Sequence, residues 1–247
     1  MKAVIQGCGL LLFALLAVTP AAAEEPYFTV SNNRLAYVQN AQKEAVVRDK
    51  LLLLVVGANW CHDSRALGKY LQDDALQPVL SDYVLAKVDA AWLDNLTPVL
   101  APYGHPAYFG TPSVMVIAPN SKQLLNRDSM QRWQSAHNES PEALASYLTG
   151  FSQGRSDGID KNVQNTPLPL AAFEAEQAAR LYAAYAVLGE LLAQEKSGDS
   201  NVSTTLNAYW REVSEYRHQL QSDLSELHRR QSELEPDFPE YPPLSFM

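Results

Sequence analysis

Two kinds of hydrophobic pattern alternate along the first 150 residues. The apolar run Leu51–Val56 has the length and composition of a fully buried strand. Alternating apolar positions predict further strands at Tyr83–Asp89 and Ser113–Ile117, and residues 122–125 predict a short fourth strand. Helical patterns separate the strands, over residues 33–50, 61–71, 93–103 and 140–148, the last of them ending at Gly150. This order predicts an α/β fold with a mixed sheet and helices on both of its faces.

The pattern changes towards the C-terminus. Residues 153–168 are polar and rich in turn-forming side chains, which predicts a linker. Two long helical patterns, Leu170–Lys196 and Ser203–Leu234, follow it, and the second has a narrow apolar stripe that is typical of a coiled-coil seam. We predict a helical hairpin over residues 169–235 and an extended, proline-rich tail over residues 236–247.

The first 23 residues have the features of a secretory signal peptide. Lys2 precedes the apolar run Gly9–Val18, and three alanines at 21–23 form a cleavage signature. The run is shorter than the roughly 20 apolar residues that cross a bilayer. We therefore expect cleavage after the alanines, a periplasmic or secreted protein, and an α/β domain over residues 24–152. An uncleaved membrane anchor is the alternative.

Composition and charge narrow the function classes. The chain is 47% hydrophobic and 19% charged, as globular proteins are, and its formal net charge of −9 argues against nucleic-acid binding. Signal cleavage would remove Cys8 and leave Cys61 alone, so the mature chain could form no internal disulfide. A lone thiol in an oxidising compartment pairs between molecules or is reactive.

The lone cysteine lies in the segment ANWCHDSR, residues 58–65. A buried strand ends just before this segment and a helix is predicted to begin at Cys61. The sulfur would then face free backbone N–H groups and the positive end of the helix dipole, and both favour the reactive thiolate. We expect Ser64 either to donate a hydrogen bond to the sulfur or simply to fill the space of a cysteine. His62, when protonated, and Arg65 would add positive charge.

Two motifs in the right element order carry a family resemblance. ANWCHDSR is similar to the Trp-Cys-x-x-Cys segment of the thioredoxin-like superfamily, with Ser64 in place of the second cysteine. Gly110–Ser113 (GTPS) is similar to the loop of that family that contains a cis proline, here Pro112. The resemblance covers residues 33–152 and leaves the C-terminal helices as an addition to the domain.

The resemblance implies roles for individual residues. Cys61 corresponds to the nucleophilic cysteine, and Trp60 corresponds to the aromatic residue beside it. Thr111 and Pro112 correspond to the loop that faces the sulfur and pairs, through its backbone, with an extended substrate. These roles predict a substrate-binding surface around Cys61.

Two features of the dithiol enzymes of the family are missing. In those enzymes the second cysteine attacks the mixed disulfide and releases the product, which Ser64 cannot do. Thioredoxin also has a buried aspartate in the strand before the motif, whereas Val55 stands at the matching position. We also consider a role for His62 in tuning the thiol and for His105 as a base, and we predict no metal site.

These features favour a monothiol protein that forms or exchanges mixed disulfides with protein or small-thiol partners outside the cytoplasm. As an enzyme it would be a thiol–disulfide oxidoreductase or isomerase without a resolving cysteine, with no cofactor other than glutathione or another thiol as co-substrate. The alternative is a non-catalytic interaction module, in which the hairpin binds a protein or self-associates and Cys61 is a remnant. A peroxide-reactive thiol is a third possibility.

Overall fold

The structure, a computed structural model of the chain, describes residues 26–28, 31–156, 166–230 and 237–247. The predicted signal peptide lies outside the described residues. The helices and strands follow one another in this order: α1 (Arg34–Val47), β1 (Leu51–Gly57), α2 (His62–Tyr70), α3 (Gln77–Leu80), β2 (Tyr83–Asp89), α4 (Thr97–Leu100), β3 (Ser113–Ala118), β4 (Gln123–Leu124), α5 (Pro141–Ser156), α6 (Leu168–Lys196) and α7 (Ser203–Arg229).

The four strands form one mixed sheet in the order β2-β1-β3-β4. β1 pairs in parallel with β2 and antiparallel with β3, and β3 pairs antiparallel with β4. Every residue of β1 is buried, because β1 lies inside the sheet and both of its faces are covered. The predicted fold class, an α/β fold with a mixed sheet flanked by helices and followed by C-terminal helices, is confirmed by this topology.

The two faces of β1 belong to different hydrophobic clusters. Leu53 and Val55 pack with buried residues of α2 and α5, whereas Leu54 and Val56 belong to a cluster that includes buried residues of α1, α6 and α7. This separation follows from the alternation of side chains along a strand. The long C-terminal helices therefore share a core with the α/β domain.

The apolar stripe of α7 is used within the chain. A six-residue connection at 197–202 joins α6 to α7, and the two helices pack against each other. Of the seven stripe residues that the sequence predicts as a seam, Trp210 is half-buried and the other six are buried: Leu206, Val213, Tyr216, Leu220, Leu224 and Leu227. Residues 237–247 lie against the same helices, where Phe238 stacks on Phe173 and Leu244 is buried.

Three parts of the chain differ from the sequence-based prediction. α5 continues past Gly150 through Ser156, which is four residues into the predicted linker, because Gly150 does not adopt the left-handed conformation with which a glycine ends a helix. The helix predicted at 93–103 is reduced to α4 and a 3₁₀ turn at Ala101–Tyr103, each with a proline near its start. A run of 3₁₀ turns at Arg127–Asn138 is an addition that the polar sequence did not indicate.

None of the helices in the described ranges combines the length and the apolar character that a membrane span requires.

One glycine sets the distance between α6 and the α/β domain. A Cβ atom at Gly189 would lie 2.0 Å from the carbonyl oxygen of Trp92, far inside van der Waals contact. The helix backbone can therefore approach the loop after β2 this closely only when residue 189 has no side chain.

Replacing Gly189 by alanine should push α6 away from this loop. We expect Gly189→Ala to lower the free energy of unfolding by about 1–3 kcal/mol, the usual cost of overpacking, as measured by urea denaturation. Gly150→Ala is the matched control, since it is also in a helix but in open space, and it should raise stability by about 0.5–1 kcal/mol. Equal effects of the two substitutions would contradict the close approach.

Candidate functional site

The pairing of β1 with β3 brings Cys61 to the proline loop. Val56 lies opposite Ser113 in this antiparallel pair, so the end of β1 and the start of β3 meet at one edge of the sheet. The Cys61 Sγ–H donates a hydrogen bond to the carbonyl oxygen of Thr111, at 3.0 Å, and the Thr111–Pro112 peptide bond is cis. Cys61 is partly exposed. The structure thus places Cys61, Thr111 and Pro112 together.

Two opposing influences act on the Cys61 sulfur. Cys61 is the N-cap residue of α2, where unpaired N–H groups and the helix dipole favour a negative charge. The Thr111 carbonyl favours the thiol instead, because its oxygen accepts the S–H proton and would repel a thiolate.

Ser64 supports the turn before α2, and no hydrogen bond joins its side chain to the sulfur among the described residues. It is fully buried, and its Oγ accepts a hydrogen bond from the backbone N–H of Ala58, at 3.1 Å. Within the described residues this is the hydrogen bond that the Ser64 side chain makes. The expectation that the Ser64 hydroxyl donates to the Cys61 sulfur is therefore wrong. The reason is local, since the chain leaves β1 at this point and the Ala58 N–H needs an acceptor other than a strand.

A histidine–aspartate cluster lies beside the cysteine. His62 is exposed, and its ring lies 4.8 Å from the ring of His137. Asp63 Oδ1 accepts the backbone N–H of His137, at 3.0 Å, and lies 2.6 Å from His137 Nδ1. Asp63 therefore ties the start of α2 to the 3₁₀ turns.

The same three side chains form a donor set that was not expected from the sequence. The ligand atoms of His62, Asp63 and His137 all lie within 4.8 Å of one another, and two imidazoles with a carboxylate are ligands that zinc accepts. The sequence analysis predicted no metal site because the residues it considered, His62, His105 and Cys61, lack the spacing of a known site, and it did not include His137. In the structure, Asp63 is already engaged by His137.

Trp60 is the expected aromatic neighbour of the site, and it also reaches the hairpin. Its Nε1–H donates to the Ala91 carbonyl oxygen at 2.6 Å. Its ring stacks on Trp92 with centroids 6.2 Å apart, and it meets the edge of Trp210 on α7 at the same separation. Trp60 thus links the cysteine segment, the loop after β2 and α7.

The loop after β2 holds two strained residues beside Trp60. Ala91 has φ of 45° and Leu93 has φ of 68°, a left-handed conformation that costs a non-glycine residue about 1–2 kcal/mol. Two contacts hold Ala91: its carbonyl accepts from Trp60, and its N–H donates to Asp89 Oδ1 at 2.9 Å. Such strain persists only where the surrounding contacts determine the conformation.

Asp89 is a residue of the site that the sequence reasoning missed. It is only 5% exposed, and its Oδ2 accepts a hydrogen bond from the side-chain amide of Asn59, at 3.3 Å. Burial raises the pKa of Asp89 above its ordinary value, although the hydrogen bonds and Arg34 act against this rise. The sequence feature that could have identified Asp89 is its position, since it is an acidic residue at the end of a strand that is otherwise largely buried.

His105 does not belong to the arrangement around Cys61. It is buried in a cluster with Arg127, Glu174 and His228, where Glu174 lies 2.6 Å from His228 and 3.7 Å from Arg127. Burial, followed by the charges of Arg127 and His228, lowers the pKa of His105 well below its usual value. This cluster joins the α/β domain to α6 and α7.

Cys61 opens onto a cavity of about 720 Å³ that α7 helps to enclose. One wall contains residues that the sequence predicted for the site, namely Trp60, Cys61 and Thr111. The opposite wall comes from α7, including Trp210 and Arg217. Cavities of this size are typical of small-molecule sites. The hairpin therefore covers the cysteine.

Comparisons with known proteins found little similarity. No family model matches the chain, and no curated protein is similar enough to match it. A solved structure of a disulphide isomerase from Xylella fastidiosa Temecula1 is similar to part of it, with 23% sequence identity, a TM-score of 0.46, and coverage of 51% of this chain and 95% of that one. The fold class rests on the sheet topology described above.

The raised pKa of Asp89 predicts a pH-dependent contribution to stability. A carboxyl group with a raised pKa in the folded state stabilises the fold below its ordinary pKa and loses that contribution as the pH rises through the folded value. We therefore expect the unsubstituted chain to lose this contribution as the pH rises from about 4 to about 7, whereas Asp89→Asn has no such contribution to lose. The free energy of unfolding of Asp89→Asn minus that of the unsubstituted chain should become more positive over this range.

The measurement is urea denaturation at several pH values, and the exposed Asp82 supplies the control variant Asp82→Asn. A relative stability of Asp89→Asn that is independent of pH, or that worsens as the pH rises, would show that burial does not dominate at Asp89.

Proposed function

We propose that the protein is a thioredoxin-like monothiol protein that exchanges disulfides through Cys61 in the periplasm or outside the cell. The observation that carries this proposal is the placement of a partly exposed sulfur at the start of α2, against the Thr111 carbonyl and open to a cavity. A buried structural cysteine needs no such opening. The extracytoplasmic location rests on the sequence of the first 23 residues.

The chemistry needs two thiols from two molecules. The Cys61 thiolate attacks one sulfur of a disulfide, a new bond forms from Cys61 to that sulfur, and the other half leaves as a thiolate that takes up a proton. A second thiol, from glutathione or another protein, then attacks the mixed disulfide and releases Cys61. Ser64 has no sulfur for this step, and its hydroxyl is bound to the turn.

The position of the helical hairpin helps to decide between the proposed function and the alternative, a non-catalytic interaction module. Such a module would offer the apolar stripe of α7 to a partner, but in the described structure that stripe is buried within the chain. Another face of α7, which includes Arg217 and Gln221, lines the Cys61 cavity. This arrangement favours a role for the hairpin at the cysteine site over self-association through the stripe.

Introducing a resolving cysteine should convert the site to dithiol chemistry. On protein without residues 1–23, we expect the folded chain to release one equivalent of thiol from a chromogenic aromatic disulfide and to remain as a mixed disulfide. Ser64→Cys should release two equivalents and end with an internal disulfide, because residues 61 and 64 lie one helical turn apart. Absorbance and intact mass measure these outcomes.

Ser64→Ala is the control for loss of the Ala58 contact and should still release one equivalent, whereas Cys61→Ala should release none. If the folded chain releases no thiol while the urea-unfolded chain releases one equivalent, Cys61 is inert. That outcome would contradict the proposed function.

A further inference from the structure

The cavity beside Cys61 contains a cation without an acidic partner. Arg217 projects from α7 into the cavity lining, with its guanidinium 5.8 Å from the centre of the Trp210 ring. Its Nε is buried and has no hydrogen-bond partner, and no carboxylate of the described residues lies within ion-pair distance of it. A buried guanidinium N–H with an unmade hydrogen bond is unfavourable unless a ligand supplies the partner.

The acidic groups of the cavity are already paired. Asp63 is bound by His137, and Glu226 is bound by Arg229 on the same helix. Burial and the charge of Arg217 lower the pKa of His218, so this neighbour is mainly neutral at pH 7. Arg217 is therefore the cation of the described lining that has no carboxylate within ion-pair distance, and a carboxylate is the group that a guanidinium binds best.

The remainder of the lining suits a small hydrophilic molecule. Side-chain amides and hydroxyls line both walls, and Gln134 Nε2 donates across the cavity to Gln221 Oε1 at 3.3 Å. Aromatic rings, among them Trp60 and Tyr108, also line the cavity. Because α7 faces the proline loop across this space, the site is more enclosed than an open platform for extended polypeptide.

We propose that the cavity selects small thiols and disulfides that have a carboxylate, which pairs with Arg217 while the sulfur reacts at Cys61. This inference rests on the proposed function and names its substrate class. The Cys61 thiolate forms a disulfide with one half of the small disulfide, and the other half leaves as a thiolate. A second molecule of carboxylate-bearing thiol regenerates Cys61. Arg217 is thus a specificity-determining residue that the hairpin contributes.

The test compares three small disulfides that differ in charge: dithiodipropionate (anionic), hydroxyethyl disulfide (neutral) and cystamine (cationic). Intact mass gives the rate of mixed-disulfide formation at Cys61 in the chain without residues 1–23. Each rate is divided by the rate of the same chain unfolded in urea, which removes differences in intrinsic reactivity. We expect the anionic disulfide to react fastest in the folded chain, although the full sequence has a net charge of −9.

Arg217→Gln should lower the rate of reaction with the anionic disulfide by about tenfold or more, as for loss of a charge-assisted hydrogen bond. It should change the rate with the neutral disulfide by less than about twofold. Arg217→Lys keeps the charge and should give an intermediate rate, which preserves the test if the glutamine variant does not fold. Arg211→Gln, at an exposed position of the same helix, is the matched control and should leave all three rates unchanged.

Equal rates for the anionic and neutral disulfides, or no effect of Arg217→Gln, would overturn this inference and leave exchange at Cys61 intact. A faster reaction with a disulfide-linked peptide than with dithiodipropionate would also overturn it, in favour of polypeptide substrates. If none of the disulfides reacts with the folded chain, the proposed function fails together with the inference.

Discussion

The position of the Cys61 sulfur depends on the turn that leads from β1 into α2. Ser64 accepts the Ala58 N–H from inside the turn, and Asn59 holds it from outside through the backbone of Phe28 and the carboxylate of Asp89. Because β1 is buried along its whole length, the turn has a fixed starting point. The sulfur is therefore presented at a defined place beside the proline loop, and every proposed step of chemistry uses that placement.

The C-terminal helices enclose the space beside the Cys61 sulfur. α6 approaches the loop after β2 at Gly189, and α7 meets Trp60 through Trp210, so both helices are attached to the edge where Cys61 lies. The result is a cavity where the α/β domain alone would present a surface. The Arg217 guanidinium, without an acidic partner among the described residues, gives this cavity a chemical preference that the α/β domain does not supply.

Much of the fold could be predicted from local patterns, and much of the site could not. The strand Tyr83–Asp89 has the same bounds in sequence and structure, and Leu51–Val56 differs by one residue, because apolar runs and alternation decide strands. The motif resemblance placed Cys61 and Thr111 in one site. The partner of Ser64 and the meeting of α7 with Cys61 depend on contacts between residues whose spacing in the sequence has no pattern.

The central claim is that Cys61 is an accessible, reactive thiol in the folded protein, and its alkylation rate tests this most directly. The measurement compares labelling by neutral iodoacetamide at neutral pH in the folded chain and in the same chain unfolded in urea, followed by intact mass. The account predicts that the folded chain labels at least as fast as the unfolded one. Labelling that occurs only after unfolding would contradict it and would identify Cys61 as an inert core residue.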